Sequence, residues 1–302
     1  MIYLKTFDLM TQRQEDDYIS QIRHTCFNSY YPLGIFTCEK ELSHLDFSEI
    51  TIFCGGNGSG KSTLLNVIAE KVKLSRQTIF NKTHFFDPYL EYCNYQLSTD
   101  DKTELRNLYA VSKIITSDDV FNNIIEVRRR NENLIFKRNL ILEDRYEERL
   151  HGGNYKNDRP RRINMDDPES FKRFKEYNRV SKLSTSQLIR ERVGVDERTY
   201  SNGENGFRYF TDAIQPGGLY LLDEPENSLS AEMQLELVNF LHGMARFYNC
   251  QFILSTHSPF ILSLPNAKIY NMDAEPVATC KWTELPNVRI YHDFFKDHQT
   301  EF

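Results

Sequence analysis

Three stretches of this chain are apolar without alternation: Thr51-Ile52-Phe53-Cys54, Leu219-Tyr220-Leu221-Leu222 and Gln251-Phe252-Ile253-Leu254. Runs of four to six apolar, aromatic or β-branched residues predict strands covered on both faces, as in a parallel sheet rather than a half-solvated antiparallel one. The residues that follow the first run, Ser62 to Ala69, have helical character. Between the second and third runs, Ala231 to Phe247 carries Leu235, Leu237, Val238, Phe240, Leu241 and Met244 as one broad apolar face, the pattern of a crossover helix joining neighbouring parallel strands. Phe207, Phe210, Ala213 and Ile214 recur at helical spacing, and Lys113-Ile114-Ile115-Thr116 reads as a further strand end. The alternation of strand and helix predicts an α/β fold with a sheet flanked by helices.

What lies at the strand ends gives that sheet a chemistry. Gly55-Gly56-Asn57-Gly58-Ser59-Gly60-Lys61-Ser62 is a complete G-x-x-x-x-G-K-[ST] loop, placed between a strand and a helix as the motif requires. Its glycines permit positive φ, so backbone N–H groups can close around a phosphate at a helix N-terminus. Lys61 would reach the β- and γ-phosphates, the Ser62 hydroxyl would ligate Mg2+, and Thr63 continues the cradle. The second apolar run ends in Asp223-Glu224-Pro225. A buried strand delivers such acids to the carboxyl edge of the sheet, where α/β folds bind their ligands. Asp223 is then suited to hold Mg2+ through its water shell, and Glu224 to orient and deprotonate an attacking water. The third run closes on Ser255-Thr256-His257-Ser258-Pro259. His257 would meet the γ-phosphate or the water, donating a hydrogen bond without a fixed charge.

Read in order, the phosphate loop, Ser201-Asn202-Gly203-Glu204, Leu221-Leu222-Asp223-Glu224-Pro225-Glu226 and Ser255-Thr256-His257-Ser258-Pro259 resemble the ABC-type ATPase superfamily. The resemblance is closer to its soluble branch, with the SMC, RecF and overcoming-lysogenisation (OLD) ATPases and small AAA/ABC-like ATPases, and it covers roughly residues 1 to 80 and 200 to 265. It implies a P-loop NTPase of ABC-ATPase type, with a mixed sheet and an inserted helical lobe, that binds ATP and Mg2+. It also implies that Ser201 and Gly203 form the signature, and that Asn227-Ser228-Leu229-Ser230 is the D-loop. The signature of one copy would then face the γ-phosphate held by another, so that two chains pair head to tail. Ser201 and Glu204 also satisfy a helix capping box, which is compatible with that role. Tyr200, Asn202 and Glu204 depart from the transporter form of the signature. Gln77 is the right residue type for a Q-loop but follows the phosphate loop early. Tyr30, Tyr31 and Phe36 are aromatic candidates for adenine stacking or for the core.

Charge divides the chain. The whole has a net charge of −6, yet residues 127–200 hold 19 Lys or Arg against 13 Asp or Glu. This basic segment is expected to form the inserted lobe, with the ATP-binding core made of 1–126 and 201–302. Val120 to Leu150 is helix-compatible, Gly152 to Pro160 reads as loop, Asp167-Pro168-Glu169 as a helix start, Ser184 with Gln187 as a capping box and Gly194 as a stop. Lys/Arg clusters would suit DNA or RNA, although the interspersed acids equally describe a solvated, ion-paired surface. Six scattered cysteines without zinc spacing, no run of 18 apolar residues and no leader-like start suggest a cytoplasmic protein with no membrane span.

Three other functions compete. An ABC-transporter nucleotide-binding subunit would share most motifs, but the atypical signature and the basic insertion count against it. A P-loop phosphotransferase has no use for a signature or a terminal His. A nuclease of the OLD type needs an added metal-binding domain, for which the 37 residues after Pro265 are too few, so any effector would be a separate protein. The tail from Trp282, rich in aromatics, reads as packed on the core or as a docking segment. If the catalytic pocket is shared between copies, Ser201→Arg should bind ATP as a monomer with little turnover; light scattering with ATP that shows the variant dimerising like wild type would contradict this.

Overall fold

Two sheets organise the chain, and a buried glutamine and a tyrosine hydroxyl, Tyr270 on Asp46, stitch one to the other. The computed structural model describes residues 1–22, 27, 29–150, 169, 172, 184–193 and 202–301. Ser201, Tyr200, the Gly152–Pro160 loop, the Asp167-Pro168 helix start and the Gly194 stop fall outside the described residues. The chain divides into two units, Met1–Asn123 with Tyr200–Phe302, and Ile124–Thr199.

The first unit holds both sheets. Strand β1 (Leu4–Asp8) is the centre of a small antiparallel sheet, between β2 (His44–Asp46) and β4 (Asn94–Leu97). The larger sheet contains β3 (Ile50–Cys54), β5 (Lys113–Thr116), β6 (Leu219–Asp223), β7 (Gln251–Thr256), β8 (Lys268–Asn271) and β9 (Ala278–Cys280), in the order β5-β6-β7-β3-β8-β9. All neighbours in it are parallel except β8 and β9. Every residue of β3 and β7 is buried, as is all of β6 up to Asp223. This agrees with the unbroken apolar runs, because a strand covered on both faces has no position that favours a polar side chain.

Registers place the strand ends level. Thr116 pairs with Asp223, Asp223 with Ser255, and Ser255 with Phe53, which also pairs with Tyr270. The segments that leave β3, β6, β7 and β8 therefore start side by side at one edge. Helix α2 (Lys61–Val72) leaves the loop after β3, and Leu64, Leu65, Val67, Ile68, Ala69 and Val72 are all buried. They share one core with Leu4 and Phe7 of β1, Leu221 of β6 and Ile253 of β7. A helix apolar on nearly every side needs cover on every side, and the small sheet and the large sheet both contribute to it.

The remaining helices of this unit are α1 (Gln12–Gln21), α3 (Phe86–Tyr92) and α4 (Lys102–Val111); α5 (Ser117–Leu150) starts here and runs on into the second unit, which also holds α6 (Thr185–Val193). Ser184 and Gln187 do form the expected reciprocal hydrogen bonds at the start of α6. Back in the first unit, α7 (Asn202–Ala213) precedes β6, α8 (Ala231–Phe247) joins β6 to β7, the short α9 (Pro259–Leu262) follows β7, and α10 (Pro286–Asp297) comes last. In α8, Leu237, Val238, Leu241 and Met244 are buried, but Leu235 is exposed, so the apolar face is narrower than its sequence pattern. In α10 only Val288 is buried, while Ile290, Tyr291, Phe294 and Phe295 are exposed; the tail packs on the core through one edge rather than through its aromatics.

Gln251, the first residue of β7, makes one join between the sheets. Its side-chain oxygen accepts from the N–H groups of Tyr3 and Leu4, both at 2.8 Å. Its amide nitrogen donates to the carbonyls of Leu4 (2.9 Å) and Ser48 (3.0 Å). All four hydrogen-bonding positions of one amide are used at a site with no exposure. Gln251→Leu leaves those backbone groups unpaired and should lower unfolding stability by about 3 kcal/mol. Urea denaturation that shows a loss below about 1 kcal/mol would remove the glutamine from this role.

Candidate functional site

The phosphate loop runs from the end of β3 into α2, and two of its glycines stand where other residues would strain. Gly58 and Gly60 have φ of +83° and +95°. A Cβ on Gly60 would lie 2.7 Å from the Ile35 side chain, whereas one on Gly58 would meet nothing within 4 Å. Gly55 has ordinary φ but no room, since a Cβ there would come within 2.7 Å of the Ser59 hydroxyl and 3.0 Å of the Asp273 carboxylate. Gly60 also caps α2 without any side-chain hydrogen bond, which leaves the first turn of N–H groups to meet an anion. Lys61 is buried and its ammonium folds back over the loop, donating to the carbonyls of Gly55 (2.7 Å) and Gly56 (2.9 Å).

Two side chains from outside the motif hold the loop. Asp273, just beyond β8, accepts from the Gly56 N–H with both oxygens, at 2.8 and 3.0 Å. Lys40, at the end of a 3-10 turn (Cys38–Lys40), donates to the Ser59 carbonyl. Burial lowers the pKa of Lys40, and the nearby carboxylates of Asp273 and Glu275 pull it back up. An acid on a backbone donor and a base on a backbone acceptor fix the loop from opposite polarities. Neither residue belongs to a sequence motif, and a lone Lys or Asp carries no pattern that would single it out.

The acids of β6 lie beside this loop. The Ser62 hydroxyl donates to Asp223 at 2.9 Å, and the Ser255 hydroxyl donates to the same carboxylate oxygen. Burial raises the pKa of Asp223, while the Ser255 and Ser62 hydrogen bonds oppose that rise. A hydroxyl and a carboxylate, both hard oxygen donors, suit a Mg2+ ion that keeps most of its ligands as water and phosphate. Among the described residues no cluster of three His, Cys, Asp or Glu side chains is placed to hold a metal by itself.

Glu224 follows in the left-handed region, with φ +47°. A β-carbon is disfavoured there by roughly 1–2 kcal/mol. Its N–H is drawn to the Ser255 carbonyl (3.1 Å) and hydroxyl (3.2 Å), and its carboxylate accepts from the Asn227 amide at 2.9 Å. This backbone outlier lies at the carboxyl edge of the sheet, one residue after Asp223. His257 leaves β7 at the same edge, half-exposed, with its Nδ1 3.2 Å from buried Glu226. Asn287 of α10 donates to the His257 carbonyl at 3.1 Å.

The structure thus brings Lys61, Ser62, Asp223, Glu224 and His257 to one edge. Gly203 sits in the first turn of α7, where a Cβ would lie 3.4 Å from the Ser230 nitrogen at the start of α8; its expected neighbour Ser201 is outside the described residues. Gln77 accepts from the Tyr209 hydroxyl of α7 at 3.0 Å. Of the aromatic candidates, Phe36 is fully buried core, because it packs beside Gly60 where the chain approaches closely. Tyr31 stacks on Phe86 and Tyr30 on Phe85.

Residues 143–263 match the family model described as "AAA domain, putative AbiEii toxin, Type IV TA system", a span that holds Asp223, Glu224 and His257 but not the phosphate loop. No protein of curated function matches the chain. Among solved structures, the chain is similar to the Smc head domain with an extended coiled coil bound to the C-terminal domain of ScpA, from Pyrococcus furiosus, at 14% identity over 97% of this chain and 100% of that one, TM-score 0.44. It is also similar to the dimeric ATP-binding cassette MJ0796 in a post-hydrolysis state with ADP and Pi, at 16% identity over 79% of this chain and 90% of that one, TM-score 0.34.

The two positive-φ glycines separate strain from space. Gly58→Ala should cost about 1 kcal/mol through φ alone, and Gly60→Ala at least about 2 kcal/mol because Ile35 must also move. Thermal unfolding that ranks the two in the opposite order would contradict the loop geometry.

Proposed function

We propose that this chain is an ATP hydrolase of the ABC type, in which the phosphate loop holds the triphosphate and Glu224 activates water. The observation that carries this reading is the Ser62–Asp223 hydrogen bond: it joins the loop to the acidic strand end, and the next residue, Glu224, is aimed by Asn227. In this reading the N–H groups of Asn57 to Thr63 and the Lys61 ammonium bind the phosphates once Lys61 leaves the Gly55 and Gly56 carbonyls. Ser62 and Asp223 would hold Mg2+, which when bound draws charge from the phosphoryl oxygens. Glu224 takes the proton of the attacking water as its oxygen bonds to the γ-phosphorus, and the β–γ bridging oxygen leaves with ADP.

The signature is the reason to propose that the working form is a head-to-tail homodimer. Gly203 opens α7 at an anion-binding helix end, one chain carries one loop and one signature, and the resemblance places the two in different copies. Binding energy at two shared pockets would favour the paired form, a population shift driven by contacts with the γ-phosphate. A nucleic acid meeting the basic residues of the second unit, or a separate effector protein, would couple to this cycle. No described helix is long and apolar enough to cross a membrane.

Two substitutions separate binding from chemistry. Lys61→Ala should lose ATP binding, read by equilibrium titration with a fluorescent ATP analogue. Glu224→Gln should bind ATP and accumulate dimer while its turnover falls by about 10²-fold or more. Phosphate release by the Glu224→Gln protein at the wild-type rate would overturn the assignment of the base.

A further inference from the structure

Glu226 is an acid at this edge that the proposed reaction leaves without a task. It is 6% exposed and lies in the 3-10 turn Pro225–Ser228 that follows Glu224. One of its oxygens, Oε1, meets three groups of the β7 exit: it accepts from the Thr256 hydroxyl (2.7 Å) and the His257 N–H (2.8 Å), and it stands 3.2 Å from His257 Nδ1. The other, Oε2, is buried with no hydrogen bond among the described residues. Placing a carboxylate where half of its acceptor capacity goes unused is costly. A turn that needed only to be tied down would be served by a smaller neutral acceptor.

The position of the ring bears on which nitrogen carries hydrogen. Nδ1 stands 3.2 Å from an oxygen that offers only lone pairs, so a bare Nδ1 lone pair would face a carboxylate lone pair, and the Nδ1–H form avoids that repulsion. Nε2 is left as the ring atom on the half-exposed side. A neutral His257 in this tautomer accepts at Nε2 and cannot donate there, and a donor at Nε2 would require both nitrogens to be protonated, with Glu226 balancing the charge. Asn287 donates to the His257 carbonyl and so holds the backbone of this residue.

We propose that Glu226 is a positioning residue for hydrolysis: it locks His257 as the Nδ1–H form, so that Nε2 faces the reacting groups. The proposal rests on the ATPase reading. Its role goes through His257, which predicts a specific pattern of effects. Glu226→Gln keeps a carbonyl acceptor for all three donors and should hold kcat within about threefold of wild type. Glu226→Ala should lower kcat by about tenfold or more, with the affinity for ATP within about twofold. In a His257→Ala background, Glu226→Ala should have no further effect on kcat.

The deciding measurement is nitrogen-15 NMR of the histidine rings of the full chain, with the His257 signals assigned by their loss in His257→Ala. Wild type and Glu226→Gln should show protonated Nδ1, and Glu226→Ala should shift the ring toward Nε2–H. An unprotonated Nδ1 in wild type, or additive losses of kcat in the double variant, would overturn the proposal. Should Glu226→Ala fail to fold, the wild-type and Glu226→Gln spectra still decide it. Absence of any ATP turnover by wild type would instead sink the ATPase reading, and the ring spectra would continue to test the Glu226–His257 pair on their own.

Discussion

The Asp223 carboxylate, held between the hydroxyls of Ser62 and Ser255, is the joint on which the rest of the edge depends. It links three consecutive strand ends, since Ser62 follows the loop of β3, Asp223 closes β6 and Ser255 belongs to β7. That link is available only because the strands are parallel and in level register: Ser255 pairs with Asp223 on one side and Phe53 on the other. A slip of one residue in β6 would turn Asp223 to the opposite face of the sheet. The apolar core beneath, continuous from β1 through α2 to β7, specifies the register and so sets the position of every acid and hydroxyl above it.

Around this joint the loops are held by single, well-aimed contacts rather than by bulk packing. Asp273 and Lys40 grip the phosphate loop through its backbone; Asn227 holds Glu224, and Glu226 holds the β7 exit. Each contact comes from a segment that leaves the same sheet edge or lies against it, so the scaffold that creates the edge also supplies its supports. This economy has an electrostatic side. The acids Asp223, Glu224 and Glu226 fall within four residues, and placing them so close is tolerable because their partners are different donors: serine hydroxyls, an asparagine amide, and a threonine hydroxyl with a peptide N–H.

The parts legible in the sequence are those where local chemistry and tertiary demand agree. The runs at 51–54, 219–222 and 251–254 became the central strands because nothing but full burial explains them, and the phosphate loop was legible because its glycines answer to backbone angles that other residues resist. The small antiparallel sheet was not foreseen. Leu4–Asp8 and Asn94–Leu97 are short and partly polar, and they become strands through pairing with each other, which no local window contains. Leu235 misled for a related reason: helical spacing identifies a stripe, but the neighbouring elements decide its width. Glu226 was visible as a third acid in Asp-Glu-Pro-Glu, but its function required knowing that β7 ends beside β6. Gln251 gave no signal at all, since a glutamine at the head of an apolar strand reads as its boundary, and only the second sheet makes it indispensable.

The short turn after β6 connects these themes. Within Glu224–Ser230 lie the strained Glu224, the Glu226 that grips His257, the Asn227 that grips Glu224, and Ser230, which caps α8 through the Met233 N–H. Gly203 in the first turn of α7 approaches this cap. A Cβ at 203 would stand in ordinary contact with Ser230 and Met233, so the starts of the two helices lie close together. At its other flank α7 holds Gln77 through Tyr209, a few residues past the end of α2. The helix that bears Gly203 thus lies against the acidic turn and is tied to the exit of the phosphate-loop helix, and within that turn a left-handed Glu224 is kept in place by hydrogen bonds at both its backbone and its carboxylate.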